Sequence, residues 1–251
     1  MLELKDVSVR FAGLQALSDV SLTARGGEVR ALIGPNGAGK TTLFNAISGY
    51  VPISSGTITL DGAPIHGFTP HEIAAKGVRR TFQNGGLFVE LTALENVLAG
   101  LHARIDASFA GILFGSRAAR AAERDAVTRA RSLLELLGVA HLADQPVKTM
   151  SGGQQRTIEI VRAVAADPPL LLLDEPAVGL APPLRAQLIE LIRRLAGEMG
   201  IAVLLIEHAV DLVMAAADYV AVLNGGSKIA EGPPAKIRSD PAVLEAYLGH
   251  V

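Results

Sequence analysis

The chain has 251 residues, is 49% hydrophobic and 19% charged, carries a formal net charge of −2 and contains no cysteine. A chain of this length buries a core as one large domain or two small ones, and so apolar a composition excludes disorder. The mixed, near-neutral charge indicates no general nucleic-acid-binding surface, and the lack of Cys excludes disulfides, zinc–thiolate and iron–sulfur sites and fits a reducing compartment.

Two stretches at the start, "LELKDVSVRF" (2–11) and "ALSDVSLTAR" (16–25), alternate with period two and predict half-buried strands. This start lacks the basic beginning and continuous apolar run of a signal peptide. Gly26 and Gly27 turn the chain into the apolar strand "EVRALIG" (28–34), and "TTLFNAISGY" (41–50) predicts a short helix that Gly49 ends. With "GTITLDG" (56–62) as a further strand, the early region is expected to be strand-rich with one helix. From about Thr92 to Val164 the spacing turns helical in "ENVLAGLHAR", "AARAAERDAVTRARSLLELLG" and "QQRTIEIVRAVAAD". Strands and helices then alternate through "PLLLLDEP", "PPLRAQLIELIRRLAGEM", "IAVLLIEH", "AVDLVMAAAD" and "YVAVLNGG". The final "SDPAVLEAYLG" offers Asp240 as a cap and Pro241 in the first turn of a last helix. Fully apolar strands alternating with helices imply a parallel sheet covered on both faces, with a helical insertion. The longest apolar runs, such as "IAVLLI" (201–206), are too short to cross a bilayer, so a soluble chain is expected, and any membrane role needs a partner.

The loop "GPNGAGKTT" (34–42) meets the pattern G-x-x-x-x-G-K-[ST] with Gly34, Gly39, Lys40 and Thr41, between a predicted strand and a predicted helix. Glycines let successive backbone N–H groups converge on anionic oxygens, and the following helix turns its positive end toward them. Lys40 is then expected to reach the β- and γ-phosphates and the Thr41 hydroxyl to ligate Mg²⁺. The partner acid is expected at the carboxyl end of "LLLLDEP", where α/β sheets place their ligands: Asp174 for Mg²⁺, and Glu175 to polarise the attacking water. Gln83, in "RRTFQ", has an amide able to span metal and water, and His208 closes "AVLLIEH" as a donor or acceptor near neutral pH.

Together with "SGGQQR" (151–156), these motifs in this order resemble the ATP-binding cassette (ABC) ATPases, and the resemblance spans essentially the whole chain. It implies an α/β fold: a P-loop NTPase (RecA-like) parallel-sheet core with an N-terminal antiparallel β subdomain and an inserted α-helical subdomain. The core and β subdomain would occupy 1–91 and 165–251, and the helical subdomain 92–164. It implies ATP and Mg²⁺ as ligands. Gly34, Pro35, Asn36, Gly37, Ala38, Gly39, Lys40, Thr41 and Thr42 then form the Walker A motif. Gln83 is the Q-loop residue, Asp174 ends Walker B, Glu175 is the catalytic base and His208 the switch histidine. Phe11 stands where the family stacks an aromatic on adenine. Ser151, Gly152, Gly153 and Gln154 form the signature. It combines a hydroxyl, exposed backbone N–H groups and a helix start, and by resemblance it closes on the γ-phosphate held by another subunit. A head-to-tail dimer follows from the resemblance. Two positions depart from the family pattern: Ala181 replaces the Asp or Asn of many D-loops, and Ala209 follows His208 where Asp is common.

"GVRRTFQNGGLFVELTALENVLAG", the insertion "ASFAGILFGSRAARAAERDA", "LLIEHAVDLVM" and "AYLGHV" look like the LivG-type ATPases of branched-chain amino acid importers. The resemblance implies a second cassette (a LivF-type subunit, or the chain itself), two integral membrane permease subunits and, indirectly, a periplasmic or extracellular solute-binding protein. It places the protein peripherally on the cytoplasmic face of the cell membrane. "FAGILFG" within the 102–126 insertion reads either as local packing or as contact with a neighbouring subunit, and the groove around Leu87, Phe88 and Glu90 is the expected docking surface for membrane subunits. The rival readings are the standalone cassette of a lipopolysaccharide-type exporter, an importer of urea or amides, a non-transport ABC ATPase of DNA repair or translation, and a non-hydrolysing regulatory cassette. The insertion argues against the exporter, and Lys40, Asp174, Glu175 and His208 argue against the last.

Overall fold

The computed structural model describes residues 1–81, 86–101 and 117–248. The chain divides into two compact units, Met1–Gln83 with Pro169–Val251, and Asn84–Pro168.

The first unit holds two sheets. Strands β1 (Leu2–Phe11), β2 (Leu14–Ala24), β4 (Ser55–Leu60) and β5 (Ala63–Pro64) form an antiparallel sheet in the order β2-β1-β4-β5. Strands β3 (Val29–Ile33), β6 (Val78–Arg80), β7 (Leu170–Asp174), β8 (Ala202–Ile206), β9 (Tyr219–Asn224) and β10 (Ser227–Gly232) form the second, in the order β10-β9-β3-β8-β7-β6. It is parallel except for β10, which runs antiparallel to β9. Every residue of β3, β7 and β8 is buried, as expected for parallel strands covered on both faces. Helix α1 (Lys40–Ile47) is too short to be stable alone. Its Leu43, Phe44 and Ile47 join one buried cluster with Leu2, Leu4 and Ile58 of the first sheet and Leu172, Leu204 and Ile206 of the second. Burial of each such side chain contributes about 1.5–3 kcal/mol, so packing fixes this helix.

The early region carries a second helix, α2 (Pro70–Ala75), where one was expected. Six residues show no readable period, but Thr69 and Glu72 form a capping box and Pro70 opens the first turn.

In the second unit, α3 (Ala93–Leu101) packs against both α4 (Arg117–Leu136) and α5 (Gly152–Val164). Val97 of α3, Leu134 of α4 and Ile158 and Val161 of α5 are all fully buried. Thr92 and Glu95 cap α3 reciprocally, with Thr92 N–H on Glu95 Oε2 at 2.8 Å. "FAGILFG" lies outside the described residues.

The remaining helices of the first unit are α6 (Pro182–Gly197), α7 (Val210–Ala216), α8 (Pro234–Arg238) and α9 (Pro241–Leu248). The expected cap of α9 is present, the Asp240 carboxylate accepting from Ala242 N at 2.9 Å. Ala181, the N-cap of α6, supplies no side-chain cap. Ala181→Asp should therefore stabilise the protein by about 0.5–2 kcal/mol, read as a higher melting temperature in calorimetry. No helix among the described residues is long and apolar enough to cross a membrane.

Candidate functional site

Strand β3 delivers the chain into Gly34, whose φ is 151°; a Cβ there would lie 2.1 Å from the Leu223 carbonyl oxygen. Gly39, at φ 101°, caps α1, and its Cβ would meet Leu17 Cδ2 at 2.7 Å and the Ala16 oxygen at 2.9 Å. Both positions accept only glycine, so the loop's close approach to its neighbours is written in the sequence. No side chain caps α1, which leaves the N–H groups of its first turn directed at the loop. Lys40 is buried, and its Nζ donates to the carbonyls of Gly34 at 2.7 Å and Pro35 at 3.0 Å. Burial pushes this ammonium below its ordinary pKa, and the nearby Glu175 carboxylate opposes the shift. Asn36, Gly37 and Thr41 are exposed, Pro35 and Thr42 half-buried, and Ala38 buried.

Asp174 ends β7 with 5% exposure. Arg80 of β6 donates Nη2 to Asp174 Oδ2 at 2.7 Å and Nη1 to Asn45 Oδ1 on α1 at 2.8 Å, and its guanidinium lies 5.6 Å from the Phe44 ring centroid. Sequence reasoning passed over Arg80, because "VRR" has neither alternation nor a motif. Glu175 adopts the left-handed φ of 48° and donates its N–H to the Ile206 carbonyl at 2.9 Å. From the end of neighbouring β8, His208 Nε2 meets Glu175 Oε1 at 2.9 Å. In the Nε2–H tautomer the imidazole donates in this contact and the carboxylate accepts. Lys40, Glu175 and His208 thus converge at the carboxyl ends of β3, β7 and β8, the face where open α/β sheets bind ligands.

No group of three or more His, Cys, Asp or Glu gathers for a metal among the described residues. Mg²⁺ needs no such cluster, since it keeps waters and substrate phosphates and takes one or two protein oxygens. Asp174 and the Thr41 hydroxyl are oxygen donors of the required kind. Gln83 lies outside the described residues.

Phe11 ends β1 with 44% exposure, so it is no core residue. Its hairpin partner strand β2 brings Ala16 and Leu17 against Gly39. Tyr247 of α9, which the motif reading missed, places its hydroxyl in hydrogen-bonding reach of the Gly34 backbone, and burial raises its pKa. In the second unit Ser151 caps α5: its Oγ accepts from Gln154 N at 3.4 Å and donates to Gln154 Oε1 at 3.1 Å. A Cβ on Gly152 would meet nothing within 4 Å, so packing around it in this chain does not demand glycine there.

The model of the ABC transporter family matches residues 17–178, which span the phosphate loop, the 151–154 motif and the Asp174–Glu175 pair. The chain belongs to this family. The model named branched-chain amino acid ATP-binding cassette transporter matches residues 227–251 of the cassette. The cassette is 44% identical to the high-affinity branched-chain amino acid transport ATP-binding protein BraF of Pseudomonas aeruginosa, over 99% of this chain and 98% of that one. With LivG of Escherichia coli, a protein of the same description, identity is 39% over 99% and 98%. The ADP conformation of MJ1267, an ATP-binding cassette of an ABC transporter, superposes with a TM-score of 0.84 at 33% identity, covering 99% of this chain and 98% of that one. The dimeric post-hydrolysis state of the cassette MJ0796, bound to ADP and Pi, gives 0.75 at 25% identity over 93% and 99%. The parallel-sheet core and antiparallel β sheet expected of a P-loop NTPase are therefore present, in the α/β class.

Proposed function

We propose that the cassette is the ATP-hydrolysing subunit of an importer for branched-chain or related small amino acids, attached to the cytoplasmic face of the membrane through separate permease subunits. The observation that carries the importer reading is the near-full-length identity to BraF and LivG, which extends into the separate C-terminal match at 227–251.

In this reading the amides of Gly34 to Thr42 and the start of α1 hold the β- and γ-phosphates. Lys40 exchanges the Gly34 and Pro35 carbonyls, to which its ammonium is now bonded, for phosphate oxygens. Asp174 and Thr41, with Gln83, would hold Mg²⁺, which neutralises charge developing on the phosphoryl oxygens. Glu175 accepts the hydrogen bond of the attacking water and takes its proton. His208 fixes the carboxylate that performs this step. Phe11 stacks on adenine. Ser151, Gly152, Gly153 and Gln154 act on the nucleotide of a second cassette, a LivF-type chain or a second copy, in a head-to-tail dimer. The open space beside Gly152 supports that role, since it leaves the backbone free for an incoming anion. The 1–91 and 165–251 core would then hold one nucleotide while the 92–164 helical subdomain closes on the other.

The expected groove around Leu87, Phe88 and Glu90 would dock the membrane subunits: Leu87 is half-buried and Glu90 is exposed and paired with Lys148, while Phe88 is flanked by Val89 and Leu91. Phe88, Val89 and Leu91 are exposed apolar residues at 54%, 49% and 37%, and the buried Asn96 grips both backbone polar groups of Phe88 at 2.9 and 3.0 Å. Phe88→Glu is expected to leave ATPase activity of the isolated cassette within about twofold, because the change sits on an exposed surface, and to abolish solute uptake. Parallel ATPase and uptake assays check it. The whole reading is tested by co-purification of the tagged cassette from mildly solubilised membranes. Two multi-span proteins and a second, shorter cassette are expected. Subunits of a lipopolysaccharide exporter, or no membrane protein at all, would overturn it.

A further inference from the structure

Glu207 follows β8 and is 3% exposed. Its carboxylate accepts three backbone N–H groups: Oε1 from Ala177 at 2.7 Å, Oε2 from His208 at 3.0 Å and Ala209 at 3.2 Å. Ala177 lies in the loop that leaves β7 through Glu175, and the other two donors lie in the loop that carries His208. One side chain therefore staples together the two loops whose tips meet in the Glu175–His208 contact.

The need for such a staple is visible at Glu175. Its φ of 48° lies in the left-handed region, which a non-glycine residue keeps only where its surroundings over-determine it. Two amides on either side of Pro176 supply that constraint. Glu175 N–H is taken by the terminal carbonyl of β8, Ile206, and Ala177 N–H by the side chain that follows, Glu207. Buried polar groups hold a loop firmly only when every donor finds an acceptor. A carboxylate, which accepts at both oxygens and donates at neither, satisfies all three amides at once.

We infer that Glu207 is a positioning residue for ATP hydrolysis, setting the geometry of the Glu175–His208 pair without touching nucleotide. The inference rests on the hydrolytic roles proposed above for that pair. Gln at 207 would turn an NH₂ toward a backbone N–H and break one side of the staple. Asp keeps the acceptor-only chemistry but is one methylene shorter. It can serve the adjacent His208 and Ala209 amides and not also span to Ala177.

The test uses the purified cassette with Glu207→Gln and Glu207→Asp. Steady-state ATPase kinetics, affinity for a fluorescent ATP analogue and thermal melting are each measured. Wild-type hydrolysis is the control for the proposed function itself; without it, that reading fails before this one is reached. Given an active wild type, kcat should fall at least tenfold in both variants, while nucleotide affinity and KM stay within about twofold, as expected when only the chemical step is damaged. The Asp variant should stay folded and melt only the few degrees lower that one orphaned buried amide costs, so that kcat is read on a native protein even if the Gln variant does not fold. Wild-type kcat in a folded Asp variant, or a loss of kcat matched by an equal loss of affinity, overturns the inference.

Discussion

Glu175→Gln is expected to bind ATP as tightly as the wild type and to hydrolyse it at least about 10²-fold more slowly, the usual contribution of a positioned general base. The two side chains are nearly the same size, and at 19% side-chain exposure the site tolerates the exchange sterically. The amide oxygen can still accept from His208 Nε2, so the pair stays assembled. What is lost is basicity, together with the negative charge beside Lys40. Removing that charge leaves the Lys40 ammonium with less internal competition for phosphate, so affinity should hold or rise. His208→Ala should slow turnover as well, but it leaves the carboxylate present and costs less. Steady-state kinetics combined with equilibrium binding of a fluorescent nucleotide distinguishes the two variants. Turnover by Glu175→Gln at the wild-type rate would remove Glu175 from the role of base.

The parts of this site that were legible in the sequence share one property: their meaning is local. "GPNGAGKTT" announces a phosphate loop because the constraint, a tight turn opening a helix, is met within nine residues. Strands β3, β7 and β8 are legible because burial on both faces makes them uniformly apolar. Strand β6 carries two arginines in three residues, and β10 reads "SKIAEG", a polar strand at the edge of its sheet, so neither has a hydrophobic period to detect. Helices α2 and α8, with six and five residues, are shorter than two turns and equally silent, although the Thr69–Glu72 capping box was readable. The supporting residues were the least legible. Arg80 meets Asp174 across 94 positions and Glu207 meets Ala177 across 30, pairings that exist only once β8 and β7 lie side by side and β6 closes the sheet beyond them. Glu207 was masked by its neighbour as well, since the motif draws attention to His208 one residue on.

Arg80→Met should lower the stability of the nucleotide-free protein by about 3–5 kcal/mol, the typical cost of removing one partner from a buried ion pair. Both side chains of the pair are deeply buried, at 8% and 7% exposure, so solvent screening does little to soften the loss. For a chain of this size that corresponds to a fall in melting temperature of roughly 6–20 °C, measured by calorimetry. Arg80→Lys should recover only part of it. An ammonium on a flexible stem can reach Asp174 or Asn45, whereas the planar fork of Arg80 holds both at 2.7 and 2.8 Å. Asn45→Ala cuts the α1 arm alone and should cost about 1.5–3 kcal/mol, as for a hydrogen bond to a charged group. Because Arg80 ties the helix that follows the phosphate loop to the strand that ends in Asp174, loss of both arms should also weaken nucleotide binding. A melting temperature within 2 °C of wild type, as for an ordinary surface change, would show that Arg80 does not couple the two halves of the site. A graded order, with Met the least stable and Lys between it and wild type, would show that the fork itself, beyond its charge, sets the spacing between phosphate loop and acid.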